Sequence, residues 1–520
     1  MSASSSGRVL VLGLDMGDGG LIRRWVRQRR LPHFAALQSA GASLTLESTA
    51  RVLHTSTWPT FATGTLPGRH GVYYPYQPKP GHQLARYIEP DQYGVDTLWK
   101  LADARERPTV VYDVPETFPE AGFRGRAIFD WGTWARYGEP CAQPPELLGQ
   151  IKSGFGAYPL GFEAKRLGLG VPDHIEERLS RSVRYKTTTA RWLLENSDWA
   201  LAVVGFCETH PAGHYLWPRG VDSVDTAEAS AFEPLYRVYA EVDEALGVLR
   251  ASVPSDTTVI VVSGDGVRPN RCGWHLLPPL MARLGYMEPG GGGAAADARP
   301  AAPSLVGRAH QLIPASAKRL VTASLPWRLR DRLGVWLQTR SIDWSRTRAF
   351  TLPTDLEGCI RINVKGREPF GIVEPGAQYE DVCQEIRARL EELENPATGR
   401  PAVHRVWLRN EVFPGPRQEQ LPDVIVTWND EAPLEAVVSP RIGSITGVNP
   451  DPRPGTHSTD GFALAAGPGI QGGTEGQGHL ADVSCTILAR LGIDPLPPLD
   501  GKPLPALTGT SRSSGTLSSH

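Results

Sequence analysis

The chain has 520 residues, 40% hydrophobic and 21% charged, with a formal net charge of -2; so long and so neutral a chain excludes a small single-core module and a broad polyanion-binding surface. Six scattered cysteines with no CxxC pair exclude a disulfide frame and a cysteine-zinc site. No apolar run approaches the roughly 20 residues of a membrane span, and residues 1–8 lack the apolar region of a signal peptide, so a cytoplasmic protein is expected.

In chain order, residues 9–14 read as a buried strand and 21–40 as an amphipathic helix. Strands follow at 109–112 and 127–129, then a helix at 175–196 and a strand at 199–206. A helix over 227–251 leads into a β-branched strand at 257–263 that ends in Gly264-Asp265-Gly266. This alternation predicts an α/β fold with a doubly wound, mostly parallel sheet. Residues 289–303 carry too little bulky apolar content for a core. Together with the basic helical stretch behind them, they define an expected insertion or lid at 286–344. Sheet character returns at Ala349, and 379–393 is a predicted helix. The expected discontinuous core is therefore 8–285 with 345–500, and 508–520, rich in Ser, Thr and Gly, is an expected disordered tail.

Three motifs at the edges of strand-like runs carry the chemistry. They are Leu14-Asp15-Met16-Gly17-Asp18, Glu208-Thr209-His210-Pro211-Ala212-Gly213-His214, and Gly455-Thr456-His457-Ser458-Thr459-Asp460. Open parallel sheets gather ligand-binding residues at such edges. His210 and His214 are four apart, so on a helical turn they share a face. With His457 they make a three-imidazole set that leaves a coordination position open, the pattern of catalytic zinc. Read alone, an H-x-x-x-H pair is as readily a hydrogen-bonded surface pair, and Asp15 as readily a helix cap. Glu208 is a candidate partner for a ligand imidazole. Asp18 and His70 read as turn residues, and Trp131, Trp217 and Trp274 as packing or as walls of a pocket.

Together these residues resemble the alkaline phosphatase superfamily, in its type I phosphodiesterase/nucleotide pyrophosphatase branch. The likeness also rests on Leu31-Pro32-His33-Phe34, on Thr57-Trp58-Pro59-Thr60-Phe61-Ala62-Thr63-Gly64, on Pro67-Gly68-Arg69-His70-Gly71, and on Asn363-Val364-Lys365-Gly366. The resemblance implies two metal ions bridged by phosphate and a Ser or Thr nucleophile at a helix start. One ion, zinc, is expected on His210, His214 and His457. A second divalent ion, zinc, magnesium or manganese, has Asp15 and Asp265 for ligands.

The sequence departs from the family at the chemistry itself. His54 stands where the nucleophile belongs, with Thr55, Ser56 and Thr57 beside it; Thr55 is the preferred nucleophile, Thr57 a further candidate, and His54 a second-site ligand or general base. Gly264 replaces an aspartate of the family pattern, Asp265 a histidine, and His210 an aspartate. The function expected is a metal-dependent hydrolase or phosphoryl-type transferase acting on a small phosphoester, phosphodiester or related oxyanion ester. The alternative keeps the fold and one three-histidine zinc but has altered chemistry or a binding role. The oligomeric state is not legible in the sequence.

Overall fold

A computed structural model describes residues 7–78, 81, 86–87, 93–133, 139–159, 174–222, 228–290, 342–494 and 498–508. Nine strands form its central sheet: β1 (Val9–Leu14), β2 (Ala42–Glu47), β3 (Thr109–Tyr112), β4 (Arg126–Phe129), β5 (Cys141–Gln143), β6 (Leu201–Phe206), β7 (Thr258–Ser263), β8 (Gly461–Ala466) and β9 (Thr474–His479). Their spatial order is β9-β2-β8-β7-β1-β6-β3-β4-β5. The middle of the sheet, β7-β1-β6-β3-β4, is parallel throughout, and β8 and β5 run antiparallel to their neighbours.

β1 shows why the sheet is wound on both faces. All six of its residues are buried, and alternate side chains point to opposite sides. Leu10, Leu12 and Leu14 join a core with helices Gly19–Arg27, Ile175–Glu195 and Glu233–Ala251. Val9 and Val11 join another with helices Thr57–Thr63 and Leu480–Arg490. The α/β, mostly parallel architecture is the one expected.

Most expected elements fall within two residues of their place, and the helix expected over 227–251 is Glu233–Ala251 preceded by a 3-10 turn, Ala229–Phe232. The helix expected at 21–40 is instead two, Gly19–Arg27 and Pro32–Ala40. Pro32 opens the second because it cannot donate within a helix and suits a first turn, and Arg29 turns the chain at φ 61°. Most of the expected insertion, 291–341, and nearly all of the expected tail, 509–520, lie outside the described residues. The insertion's two ends meet, with Pro289 bridged to Ile342 and the Asp343 amide donating to Glu288 O at 2.8 Å.

Between β7 and β8 the chain builds a second sheet. Its antiparallel strands Ala349–Leu352, Gly358–Ile362, Val424–Trp428 and Val403–Leu408 pack with helix Ala377–Glu391 around Ile360, Ile362, Ile386 and Val426. The hairpin between the first two strands carries Asp355 and Glu357 back to the central sheet.

Candidate active site

β7, β1 and β6 are adjacent and parallel, so the residues beyond their C-terminal ends collect at one edge. That edge receives Asp265 from β7, Asp15 from β1, and helix Thr209–Leu216 from the end of β6. His210 and His214 sit one turn apart on that helix, as their spacing predicted. His457 arrives from far along the chain on strand Gly455–Ser458, which pairs antiparallel with Gly266–Pro269 and sets His457 opposite Val267. Ser263 ties the strand ends together: its hydroxyl accepts from the Gly17 amide at 3.0 Å and faces the carbonyls of Leu14 and Asp265 at 2.7 and 2.8 Å.

One ring nitrogen from each of His210, His214 and His457 lies within 4.8 Å of the other two. The hydrogen bonds fix the tautomer of each ring. His210 donates from Nδ1 to Asp15 Oδ2 at 2.8 Å, His457 from Nδ1 to Asp265 Oδ2 at 2.6 Å, and His214 from Nδ1 to Gly455 O at 2.9 Å. Each ring therefore keeps its lone pair on Nε2, and an acceptor on the far nitrogen is the usual companion of a metal-bound imidazole. Burial, and then the neighbouring His54, His210 and His214, hold His457 well below the ordinary histidine range, in its neutral form. Arg453 touches the group, donating from Nη1 to His214 Nε2 at 3.0 Å, and is itself held by Asp451 and Asp355.

Asp15 and Asp265 belong to this hydrogen-bond shell. Asp15 spends its second oxygen on the Trp58 indole N–H at 2.9 Å. Burial and the nearby Asp15 raise the Asp265 carboxyl well above the usual range. Among the described residues Asp15 and Asp265 enter no group of three converging ligands; besides the three histidines only His33, Asp243 and Glu244, elsewhere, make one. Gly264 offers no donor and has no room for one, since a Cβ there would lie 2.8 Å from Leu480 Cδ2 and 2.9 Å from Thr57 Cβ. Among the described residues the three imidazoles converge as one ligand set, while Asp15 and Asp265 are bonded to other protein groups.

The segment 54–57 sorts its hydroxyls. The 3-10 turn His54–Ser56 runs into helix Thr57–Thr63. Ser56 is buried and donates to Leu53 O at 2.6 Å, and Thr57 is buried against Gly264. Thr55 alone of the three is partly exposed, and its Oγ1 lies 3.1 Å from His54 Nε2. The His54 ring is centred 4.6 Å from that of His457. Its Nδ1 meets Glu357 Oε2 at 2.8 Å, its backbone amide donates to Glu357 Oε1 at 2.7 Å, and Asp355 Oδ1 stands 3.3 Å from Nε2. Burial opposes a charge on His54, but Glu357 and Asp355 outweigh it and raise the imidazole well above its ordinary value.

One reading from sequence changes here. Glu208 does not touch a ligand imidazole. It turns into the core, where Ser182 donates to it at 2.9 Å and the fully buried Lys186 lies 3.5 Å away, with Asp113 on the other side at 3.1 Å. Asp18 caps helix Gly19–Arg27 through the Leu21 amide at 2.7 Å, and His70 is structural, bonded to Thr60 Oγ1 at 3.2 Å and the Val72 amide at 3.1 Å. Trp217 packs on Phe232 and Trp131 on Tyr158. Glu357, Asp355 and Arg453 went unnoticed in the sequence; only the closeness of Arg453 to His457 offered a signal.

The sequence pattern of the type I phosphodiesterase/nucleotide pyrophosphatase family matches residues 9–300, and the chain belongs to that family. It is accordingly an enzyme of the phosphoester hydrolase class. No curated protein matches the chain. Among solved structures, phosphonoacetate hydrolase from Sinorhizobium meliloti 1021, in complex with phosphonoformate, is similar over 94% of this chain and 96% of its own, at 11% identity and a TM-score of 0.50. Murine ectonucleotide pyrophosphatase/phosphodiesterase 5, in complex with AMP, aligns over 97% and 99% at 12% identity and a TM-score of 0.47. The first likeness speaks to the fold, which is alkaline phosphatase-like.

Proposed function

We propose that the protein hydrolyses a small phosphoester, a phosphodiester being the preferred class, with one zinc ion held by His210, His214 and His457 and with Thr55 as nucleophile. The observation that carries the reading is the common orientation of the three imidazoles, each with Nδ1 committed to an acceptor and its lone pair therefore on Nε2, that of His214 accepting from Arg453. When bound, the ion supplies positive charge against the phosphoryl oxygens and polarises them.

The remaining roles fall to the chain's own side chains. Asp15, Asp265 and the Gly455 carbonyl hold the three rings in one tautomer. Arg453 must leave His214 Nε2 for the ion to be held there, and its guanidinium then suits a phosphoryl oxyanion. A divalent charge on His457 opposes the protonation of His54, whose ring is centred 4.6 Å away. Thr55, partly exposed, is the hydroxyl a substrate can reach.

The test is an assay of zinc-loaded protein on an aryl phosphodiester, a phosphomonoester and a sulfate ester. Turnover of a phosphoester is expected, with the loss on alanine replacement falling on Thr55 rather than on Ser56 or Thr57. Turnover of none of the three, with zinc, magnesium or manganese supplied, sinks the hydrolase reading and favours altered chemistry on the same fold.

A further inference from the structure

We infer that Thr55, His54 and Glu357 form a proton relay that activates the Thr55 hydroxyl with protein groups instead of a second metal ion. The inference rests on the hydrolase reading above and adds to it two acidic residues from the second sheet. Four observations carry it. The Thr55 Oγ1 to His54 Nε2 contact of 3.1 Å and the His54 Nδ1 to Glu357 Oε2 contact of 2.8 Å stand in series through one imidazole. That is the order nucleophile, base, orienting carboxylate which acyl- and phosphoryl-transfer sites use to activate a hydroxyl.

The orienting carboxylate is fixed as well. Glu357 is buried, and its other oxygen accepts the His54 backbone amide at 2.7 Å, so it grips the residue at two points. Asp355 supplies the third observation. Its Oδ1 is buried, has no hydrogen-bond partner, and stands 3.3 Å from His54 Nε2. That oxygen faces the same ring nitrogen that meets the Thr55 hydroxyl. The fourth is the closed second-ion site, where Asp15 and Asp265 hold protein donors and Gly264 is walled by Leu480 and Thr57.

Thr55 Oγ1 bonds to phosphorus as its proton passes to His54 Nε2, and the phosphorus–oxygen bond to the leaving alcohol breaks with its electron pair on that oxygen. The alcohol takes the proton from Nε2. A water then bonds to phosphorus, giving its proton to Nε2, and the bond from phosphorus to Thr55 breaks. Thr55 recovers the proton, and phosphate or its monoester leaves. Thr55 and His54 are catalytic residues in this scheme; Glu357 and Asp355 position and balance His54.

The experiment compares wild type, Glu357→Gln and Glu357→Asp on an aryl phosphodiester, with kcat, KM, zinc content and quenched-enzyme mass spectrometry as readouts. Glutamine is nearly isosteric but can donate to Nδ1, which places the imidazole proton on the wrong nitrogen. Glu357→Gln should lose roughly 10²–10⁴-fold in kcat, the range of general-base catalysis, with KM and zinc content unchanged. Glu357→Asp should recover part of that loss, and phosphoryl label should trap on Thr55 in wild type. Active wild type with an unaffected Glu357→Gln variant, or label found on His54, overturns the relay and leaves the hydrolase reading standing. Wild type inactive on every phosphoester overturns both.

Discussion

The two halves of the site are built on different principles. On the His210, His214 and His457 side, three imidazoles are turned by hydrogen bonds to Asp15, Asp265 and Gly455 so that each carries its lone pair on Nε2. On the His54 side almost every polar atom is already engaged with another protein group, and the glycine at 264 admits no added donor. One half turns ring nitrogens toward a common point; the other has most of its polar groups bonded to one another. A carboxylate next to a metal site is therefore not by position a ligand, and its hydrogen-bond partner decides which role it has.

The largest effect expected from breaking this asymmetry is at His457. His457→Ala removes one of three ligands, so zinc content and turnover should fall together, to near background for turnover, in metal analysis and assay of the same preparation. Retained zinc would mean that the ion sits elsewhere. Asp15→Asn sharpens the point. As an orienting partner of His210, Asp15 should cost about 10–100-fold in zinc affinity when changed, measured by chelator competition, while the one-to-one ratio of zinc to protein persists. A change in ratio from two to one would make Asp15 a ligand.

Much of this was legible in the sequence, for reasons that can be named. The sheet was readable because its central strands are fully buried and hence continuous apolar runs. The histidine cluster was readable because a four-residue spacing on a helix is a local rule, and because His457 lies beside a strand of the same sheet. The other half was not. Glu357 meets His54 across 303 residues, and Asp355 and Arg453 join through loops. No periodicity records such a contact. Glu208 misled because adjacency to His210 along the chain says nothing of direction: it faces Lys186 in the core.

A smaller effect separates packing from chemistry at Gly264. Restoring the family carboxylate with Gly264→Asp should not create a second ion site. It should destabilise by roughly 1–3 kcal/mol through overpacking against Leu480 and Thr57, read as a lowered Tm with unchanged zinc content. A gain of a second equivalent of metal would show that this half is only latent.

The smallest effect concerns His70, held down to about 3 by burial and then by Arg417. It binds its proton more weakly folded than unfolded. Its contribution is therefore intact above the unfolded value of about 6.5 and is lost as pH falls from there toward 3. The Tm of wild type should drop between neutral and mildly acidic pH, and His70→Gln should flatten part of that slope. An unchanged slope would remove His70 as a cause.

The most direct test of the asymmetry is anomalous scattering at the zinc edge, from crystals of protein purified without chelator. One peak is expected, about 2.0–2.1 Å from an Nε2 of His210, His214 and His457, with Asp15 and Asp265 still bonded to the far sides of the rings. Two peaks roughly 3.5–4 Å apart, the second liganded by Asp15 and Asp265, would contradict the account, as would no peak at all.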